Sequence, residues 1–337
     1  MYTVQIWMCI LRPRVWDDQK HQSIMMSFHQ KFIVLNNGNK IPAIAIIGTG
    51  TRWFKNVETD ATFSNSLVEQ IMYALELPGI VHIDAAEIYK TYPEVGKALS
   101  LTKKPRDEIF LTDKYSTQIK ESDSPAAGLE VSLKKMGTDY VDLYLLHSPF
   151  VSKEANGFTL EEAWKDMEQL YKAGKAKNIG VSNFAVKDLE KILKIAEVKP
   201  QVNQIEFSPF LQNQTPGIYK FCQDNNILLE AYSPLAPLQK KTAQDDSKPF
   251  FEYVKELSEK YFKSEAQIIL RWVSKRGVLP VTTSSKPQRI SDAQNLFSFD
   301  LTAEEVDEIT ELGLAHEPLR LYWNEVYDKY NYAAQKV

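Results

Sequence analysis

The feature that most constrains this chain is an eightfold alternation of short apolar runs with amphipathic stretches. Runs rich in Val, Ile and Leu begin near residues 44, 80, 109, 141, 176, 202, 227 and 278, and a stretch of helical periodicity follows each. Short, continuously apolar runs suit strands buried on both faces, the condition of a parallel sheet covered by helices. Parallel neighbours need a crossover, and the intervening helices supply it. Eight such units over roughly 250 residues fit a closed (β/α)8 TIM barrel better than an open doubly wound sheet. The expected strands are 44–47, 80–84, 109–112, 141–146, 176–181, 202–205, 227–231 and 278–281. The expected helices are 67–75, 95–99, 126–136, 160–173, 186–196, 217–224, 250–262, 265–275 and 289–296.

Ahead of the repeat, Asn36-Asn37-Gly38-Asn39 lies between two extended runs, 31–35 and 40–41. Asn-Gly in that setting predicts an N-terminal β-hairpin. No linker-like stretch divides the chain from Phe32 to Gly313, so a single domain over 28–337 is expected. Ser, Pro, Lys and Asp gather at 239–249, which reads as an excursion on one barrel face. Arg12-Pro13-Arg14 breaks the one apolar run of residues 1–25, a poor signal peptide and a poor anchor, and Met25-Met26 stand just before the ordered patterning. Residues 1–25 are therefore read as a disordered extension, with an upstream start codon read in error as its expected origin.

Composition removes several function classes. A net charge of −4 leaves no basic excess to neutralise phosphates, so no nucleic-acid partner is expected. Two cysteines, Cys9 and Cys222, make neither a disulfide framework nor a zinc site, and no metal is expected. No apolar run approaches the ~20 residues of a membrane span. A reducing compartment, the cytoplasm with the nucleus also allowed, is the expected location.

The ends of the strands differ chemically from their interiors. The second ends at Asp84, with Tyr89 just beyond; the third leads into Lys114; the fourth ends at His147. Later runs end at Ser182-Asn183, at Gln204 and Glu206, and at Tyr232-Ser233. In a barrel these ends converge on one mouth, where catalytic groups of this fold sit. Taken singly, Asp84 is a helix cap, Lys114 a solvated lysine and His147 a core histidine. Taken together, burying them unpaired would cost several kcal/mol, which a site explains and chance does not.

The chain resembles the aldo-keto reductases over residues 28–320. The acid-to-tyrosine motif is Ile83-Asp84-Ala85-Ala86-Glu87-Ile88-Tyr89, the lysine motif Thr112-Asp113-Lys114, and the histidine motif Leu146-His147-Ser148-Pro149. The cofactor motifs are Ile179-Gly180-Val181-Ser182-Asn183-Phe184, the run from Asn203 to Pro209, and Tyr232-Ser233-Pro234-Leu235. Within the family, Pro209-Phe210-Leu211-Gln212-Asn213-Gln214 and Leu279-Pro280-Val281-Thr282-Thr283-Ser284-Ser285-Lys286 resemble the fungal α-keto amide and conjugated-polyketone reductases.

The chemistry of these residues agrees with what the resemblance implies. Carbonyl reduction takes a hydride from a cofactor and a proton from a general acid. Tyr89 is the candidate acid. Lys114 beside it is expected to lower its pKa, Asp84 to pair with the lysine, and His147 to hold the carbonyl oxygen. The resemblance implies NADPH, with the nicotinamide stacked on Tyr232 and its carboxamide held by Ser182, Asn183 and Gln204. Ser233 and Leu235 join them, as do Gly50 and Thr51 of the loop after the first strand. That loop, Gly48-Thr49-Gly50-Thr51-Arg52-Trp53, lacks the third glycine of a dinucleotide fingerprint. At the adenosine end Thr283 stands where many relatives carry a lysine, so the hydroxyls of Thr283, Ser284 and Ser285 are left to bind a 2′-phosphate with Arg289, and Lys286 is nearby.

Trp53, His147 and Phe150 are the substrate-pocket candidates, with Tyr115, Phe210 and the tail Leu321-Tyr322-Trp323 as further lining. A C-terminal tail over the barrel mouth is expected. Such a pocket suits α-keto amides, isatin-like diketones, α-keto lactones and aldehydes, and a monomer or weak homodimer. The alternative is a nicotinamide-nucleotide-binding regulatory subunit with little turnover.

Overall fold

The computed structural model describes residues 28, 30–50, 62–119, 122–239 and 248–331. Strands β1 (Phe32–Val34) and β2 (Lys40–Pro42) pair antiparallel, with Ile33 opposite Ile41. The described residues then form eight parallel strands: β3 (Ile47–Gly48), β4 (Val81–Asp84), β5 (Ile109–Tyr115), β6 (Leu143–Leu146), β7 (Ile179–Ser182), β8 (Val202–Glu206), β9 (Leu228–Tyr232) and β10 (Leu279–Pro280). Each pairs with the next in sequence. A parallel bridge between Ala45 and Val281 joins the last strand to the first. Ala45 N donates to Pro280 O at 3.0 Å, and Thr282 N to Ala45 O at 2.8 Å, so the sheet closes into the expected barrel.

Alternation along each strand sorts the side chains into two cores. Ile83, Leu111, Tyr144, Leu146, Val181, Ile205 and Leu229 point outward and pack with Ile71, Leu133, Trp164, Ile192 and Trp272 of the surrounding helices. The intervening Phe110, Leu143, Leu145, Val202 and Leu279 point into the lumen and pack with Leu35 and Ile41 of the hairpin. Each fully buried aliphatic contributes about 1.5–3 kcal/mol. The hairpin plugs the lower end of the barrel. Asn36 Nδ2 donates to Pro200 O at 2.8 Å and Asn226 O at 3.1 Å, both just before the strands they precede. The apolar filling occupies the lower lumen, so the polar lumen positions Asp84, Lys114, Gln204 and Glu230 lie above it.

The helices fall within a few residues of their expected bounds, several fixed by capping boxes, as at Thr159 with Glu162 and Ser264 with Gln267. Four strand boundaries differ. The first barrel strand is Ile47–Gly48 rather than 44–47, and Ala45 makes only an isolated bridge to Val281. β5 runs on through Lys114 to Tyr115, because its ladder with β6 continues to Tyr115 opposite Leu146. The run 141–146 splits, because the Asp142 carboxylate turns aside to accept from Leu111 N and Arg106. The fifth strand starts at Ile179, and Ala176 makes only an isolated bridge to Val141. A helix over Ala303–Leu314 was not expected; its capping box of Thr302 and Glu305 marks its start. The expected extension over 1–25 and most of the excursion over 239–249 lie outside the described residues.

Candidate active site

Asp84 ends β4, and Lys114 comes one residue before the end of β5, so both aim into the upper lumen. Lys114 is wholly buried. Its Nζ is ion-paired with Asp84 Oδ1 and donates to Ala85 O at 3.1 Å and Tyr89 Oη at 3.3 Å. An ammonium has three N–H groups, and each has an acceptor here. That satisfaction is what makes a buried lysine tolerable. Tyr89 ends the short 3₁₀ turn Glu87–Tyr89, and Lys90 after it has a left-handed backbone, φ 54°. The turn is tied down by the Glu87 carboxylate, which accepts from Ser116 N at 2.9 Å. Gly50 packs flat on the Tyr89 ring: a Cβ there would lie 2.7 Å from it. His147 meets the same ring edge-on, with centroids 5.7 Å apart. Both rings are half-buried at the mouth.

Burial raises the Tyr89 pKa, and the opposing charge of Lys114 does not cancel it. The expected lowering is thus outweighed, and Tyr89 is a protonated phenol at neutral pH. Burial by itself pulls Lys114 down, but Asp84 and Tyr89 together hold it above its ordinary value. Burial, aided by Lys114, pushes His147 down to about 3. At neutral pH its ring is therefore uncharged, with one N–H to donate.

The neighbouring strand ends present amides and hydroxyls. Ser182 Oγ donates to Gln204 O at 2.8 Å, and Asn183 Nδ2 to Ser182 Oγ at 3.1 Å and His147 O at 3.0 Å. Tyr232 Oη and Gln214 Nε2 both donate to Asn183 Oδ1, at 2.8 and 2.9 Å. Asn183 and Ser233 have positive φ, 62° and 52°. Such backbone in non-glycine residues gathers at functional sites. Gln214 Oε1 is buried with no hydrogen-bond partner among the described residues. A half-buried aromatic face flanked by amides, with a buried acceptor beside it, fits a flat ring carrying a carboxamide.

The C-terminal tail lies over this face as expected. The Glu206 carboxylate, at the end of β8, accepts from Leu321 N at 2.7 Å and Tyr322 N at 3.2 Å. Tyr327 Oη donates to Asn183 O at 2.6 Å. Phe150 packs against Trp323 with centroids 5.3 Å apart, and Tyr322 meets Tyr232 edge-on at 5.7 Å.

Other expected site residues lie elsewhere. Leu235 packs on the outer core. Thr283 and Ser284 follow β10 and are half-buried, held by Gln70 Nε2, which donates to Thr283 Oγ1 at 3.0 Å. Ser285 and Arg289 are exposed. Tyr115 and Phe210 do not line the mouth: Tyr115 points outward beside Phe158, and Phe210 is packed among Phe250, Phe251 and His316. Thr51 and Trp53 lie outside the described residues. Two site residues escaped the sequence reading, Gln214 and Glu230. A signal existed for Glu230, an acid two residues before Tyr232 in an otherwise apolar strand, and hence on the same face. Among the described residues, no helix is long and apolar enough to cross a membrane.

The Aldo/keto reductase family model matches residues 46–313. The chain is 88% identical over 312 residues to the NADPH-dependent alpha-keto amide reductase of Saccharomyces cerevisiae, covering 93% of this chain and all of that one. It is 40% identical over 279 residues to the NAD/NADP-dependent indole-3-acetaldehyde reductase of Schizosaccharomyces pombe, covering 83% and 94% of the two chains. Among solved structures, a Bombyx mori aldo-keto reductase in complex with NADP superposes with a TM-score of 0.73 at 31% identity, covering 90% of this chain and 98% of that one.

Proposed function

The chain belongs to the Aldo/keto reductase family, and from that premise we propose that it is an NADPH-dependent reductase of α-keto amides, other activated ketones and aldehydes. The observation that carries this reading is the buried series Asp84–Lys114–Tyr89, which ends in a phenol open to the barrel mouth. When bound, the cofactor supplies the hydride for the carbonyl carbon. The chain's own residues handle the oxygen. His147, uncharged, donates a hydrogen bond to it and fixes the carbonyl beside Tyr89. Tyr89 gives up its Oη proton as charge develops on the oxygen. The phenolate that forms is stabilised by the Lys114 ammonium 3.3 Å away. Asp84 keeps that ammonium in place and balances its charge.

Ser182, Asn183 and Gln204 are assigned to the carboxamide, and Tyr232 to the face of the ring. Gly50, Thr51 and Ser233 complete that end, and Leu235 backs it from the outer core. Ser284, Ser285 and Arg289 take the 2′-phosphate, with the Thr283 hydroxyl replacing a lysine; Arg289 supplies the bidentate cation. Trp53, His147 and Phe150 line the substrate end. The partner is a small carbonyl compound, the protein a monomer or weak homodimer, and the cytoplasm its place.

The test is loss of nicotinamide absorbance with a panel of an α-keto amide, isatin, an α-keto lactone and an aldehyde, run with NADPH and with NADH. Turnover of the activated ketones, with NADPH the more efficient donor, is expected. No turnover of any member with either cofactor would overturn the assignment.

A further inference from the structure

The upper lumen holds one carboxyl group more than the proton-donating series uses. Glu230 lies mid-strand in β9, between Leu229 and Ala231, and is wholly buried. Its Oε2 accepts from Gln204 Nε2 at 2.8 Å, and the same nitrogen donates to Asp84 Oδ2, also at 2.8 Å. Glu230 Oε1 has no hydrogen-bond partner among the described residues. A primary amide carries both its N–H groups on one atom and its acceptor on the other. Here both N–H groups go to carboxyl oxygens. Turning the amide over would set its carbonyl against Asp84, which is ion-paired with Lys114, and against Glu230. The carbonyl of Gln204 is therefore left on the edge away from both acids, for whatever enters between Ser182 and Tyr232.

We propose that Glu230 is a positioning residue: with Asp84 it locks the Gln204 amide, and so makes the pocket select a nicotinamide substituent that donates a hydrogen bond, a carboxamide, over one that only accepts. This rests on the cofactor reading above. Glu230 contacts neither cofactor nor substrate in this role; it acts through Gln204.

The lock tightens with pH. Burial pushes Glu230 up to about 8, partly offset by the Gln204 hydrogen bond. Below that value the carboxyl is protonated, and its own O–H can donate to a turned-over Gln204. Above it, both oxygens only accept. Of the other titratable groups facing this part of the lumen, His82 on β4 and His147 beyond β6 are pushed down to about 3 and stay uncharged, Lys114 on β5 stays charged, and burial raises Tyr232 at the end of β9 well above its ordinary value. Asp84 is ion-paired with Lys114. β10 contributes Leu279 and Pro280 alone. Glu206 at the end of β8 titrates at about 7, but it holds the tail, and its effect divides out of a ratio of two ligands.

The experiment measures dissociation constants of NADP⁺ and of its 3-acetylpyridine analogue, whose ketone accepts but cannot donate, by quenching of protein fluorescence at pH 7 and pH 9. Wild type, Glu230→Gln and Glu230→Leu are compared, with thermal unfolding as a check on folding. Wild type should prefer NADP⁺ by about tenfold, as expected for one lost hydrogen bond, and by more at pH 9. Glu230→Leu should shrink the preference to about two- to threefold, and Glu230→Gln should remove its pH dependence. A wild-type preference that is the same at pH 7 and pH 9, or a preference in folded Glu230→Leu equal to that of wild type, would overturn the proposal. Should Glu230→Leu fail to fold, Glu230→Gln, of equal volume, still decides it. If wild type bound neither ligand, the cofactor reading itself would fall, and this inference with it.

Discussion

Lys114 and Asp84 are each improbable alone in a barrel lumen and acceptable only as a pair. Removing one partner leaves the other charged and buried, a loss of about 3–5 kcal/mol. Lys114→Met should therefore destabilise the protein by that amount in urea unfolding. Asp84→Asn placed on top of it should recover most of the loss, since no lone charge remains. Turnover should return in neither variant, because the phenolate has lost its counter-charge. A double variant no more stable than Lys114→Met would mean that the two side chains do not depend on each other. At this scale the sequence was informative wherever an acid, lysine or histidine closed an apolar run, as at Asp84, Lys114 and His147. It was silent where a residue's meaning depends on a partner over a hundred positions away. Gln204 reaches Asp84 across 120 residues, and nothing local to either reveals it. The net direction of the Tyr89 shift was also hidden, because burial and the lysine oppose each other and only the packed structure weighs them.

The C-terminal tail is an element whose anchoring depends on pH. Two of its backbone N–H groups end on Glu206, whose pKa burial raises to about 7. A carboxyl raised above its ordinary value binds more protons folded than unfolded. Its contribution is complete below the unfolded pKa and is lost as pH climbs through about 7. The full swing is on the order of 3 kcal/mol. Glu206→Gln keeps an acceptor and cannot ionise. The variant should gain in melting temperature relative to wild type as pH rises from 5 to 8. A difference between the two that stays flat across that range would show that Glu206 is not the titrating group. The tail over the mouth was legible from its aromatic residues, and the barrel strands from their apolar runs. The Ala303–Leu314 helix was not, because it lies past the eighth unit, where the alternation gives no further guide.

The whole molecule divides its lumen by height. The hairpin and an apolar layer fill the lower half, and the polar groups of β4, β5, β8 and β9 occupy the upper half, under the tail. That division lets a buried ammonium, two acids and an amide coexist by satisfying one another. The order of βα units was enough to infer the barrel and to place the strand ends at one mouth. Only the closed sheet supplied the height of each residue within it, and with it the link from Glu230 to Gln204. The account as a whole stands on Tyr89 as the proton donor. The most direct test is Tyr89→Phe, assayed for NADPH oxidation with an α-keto amide and for NADP⁺ affinity. The expected result is turnover reduced by about 10²- to 10⁴-fold, with affinity for NADP⁺ unchanged. Wild-type turnover in that variant would contradict it.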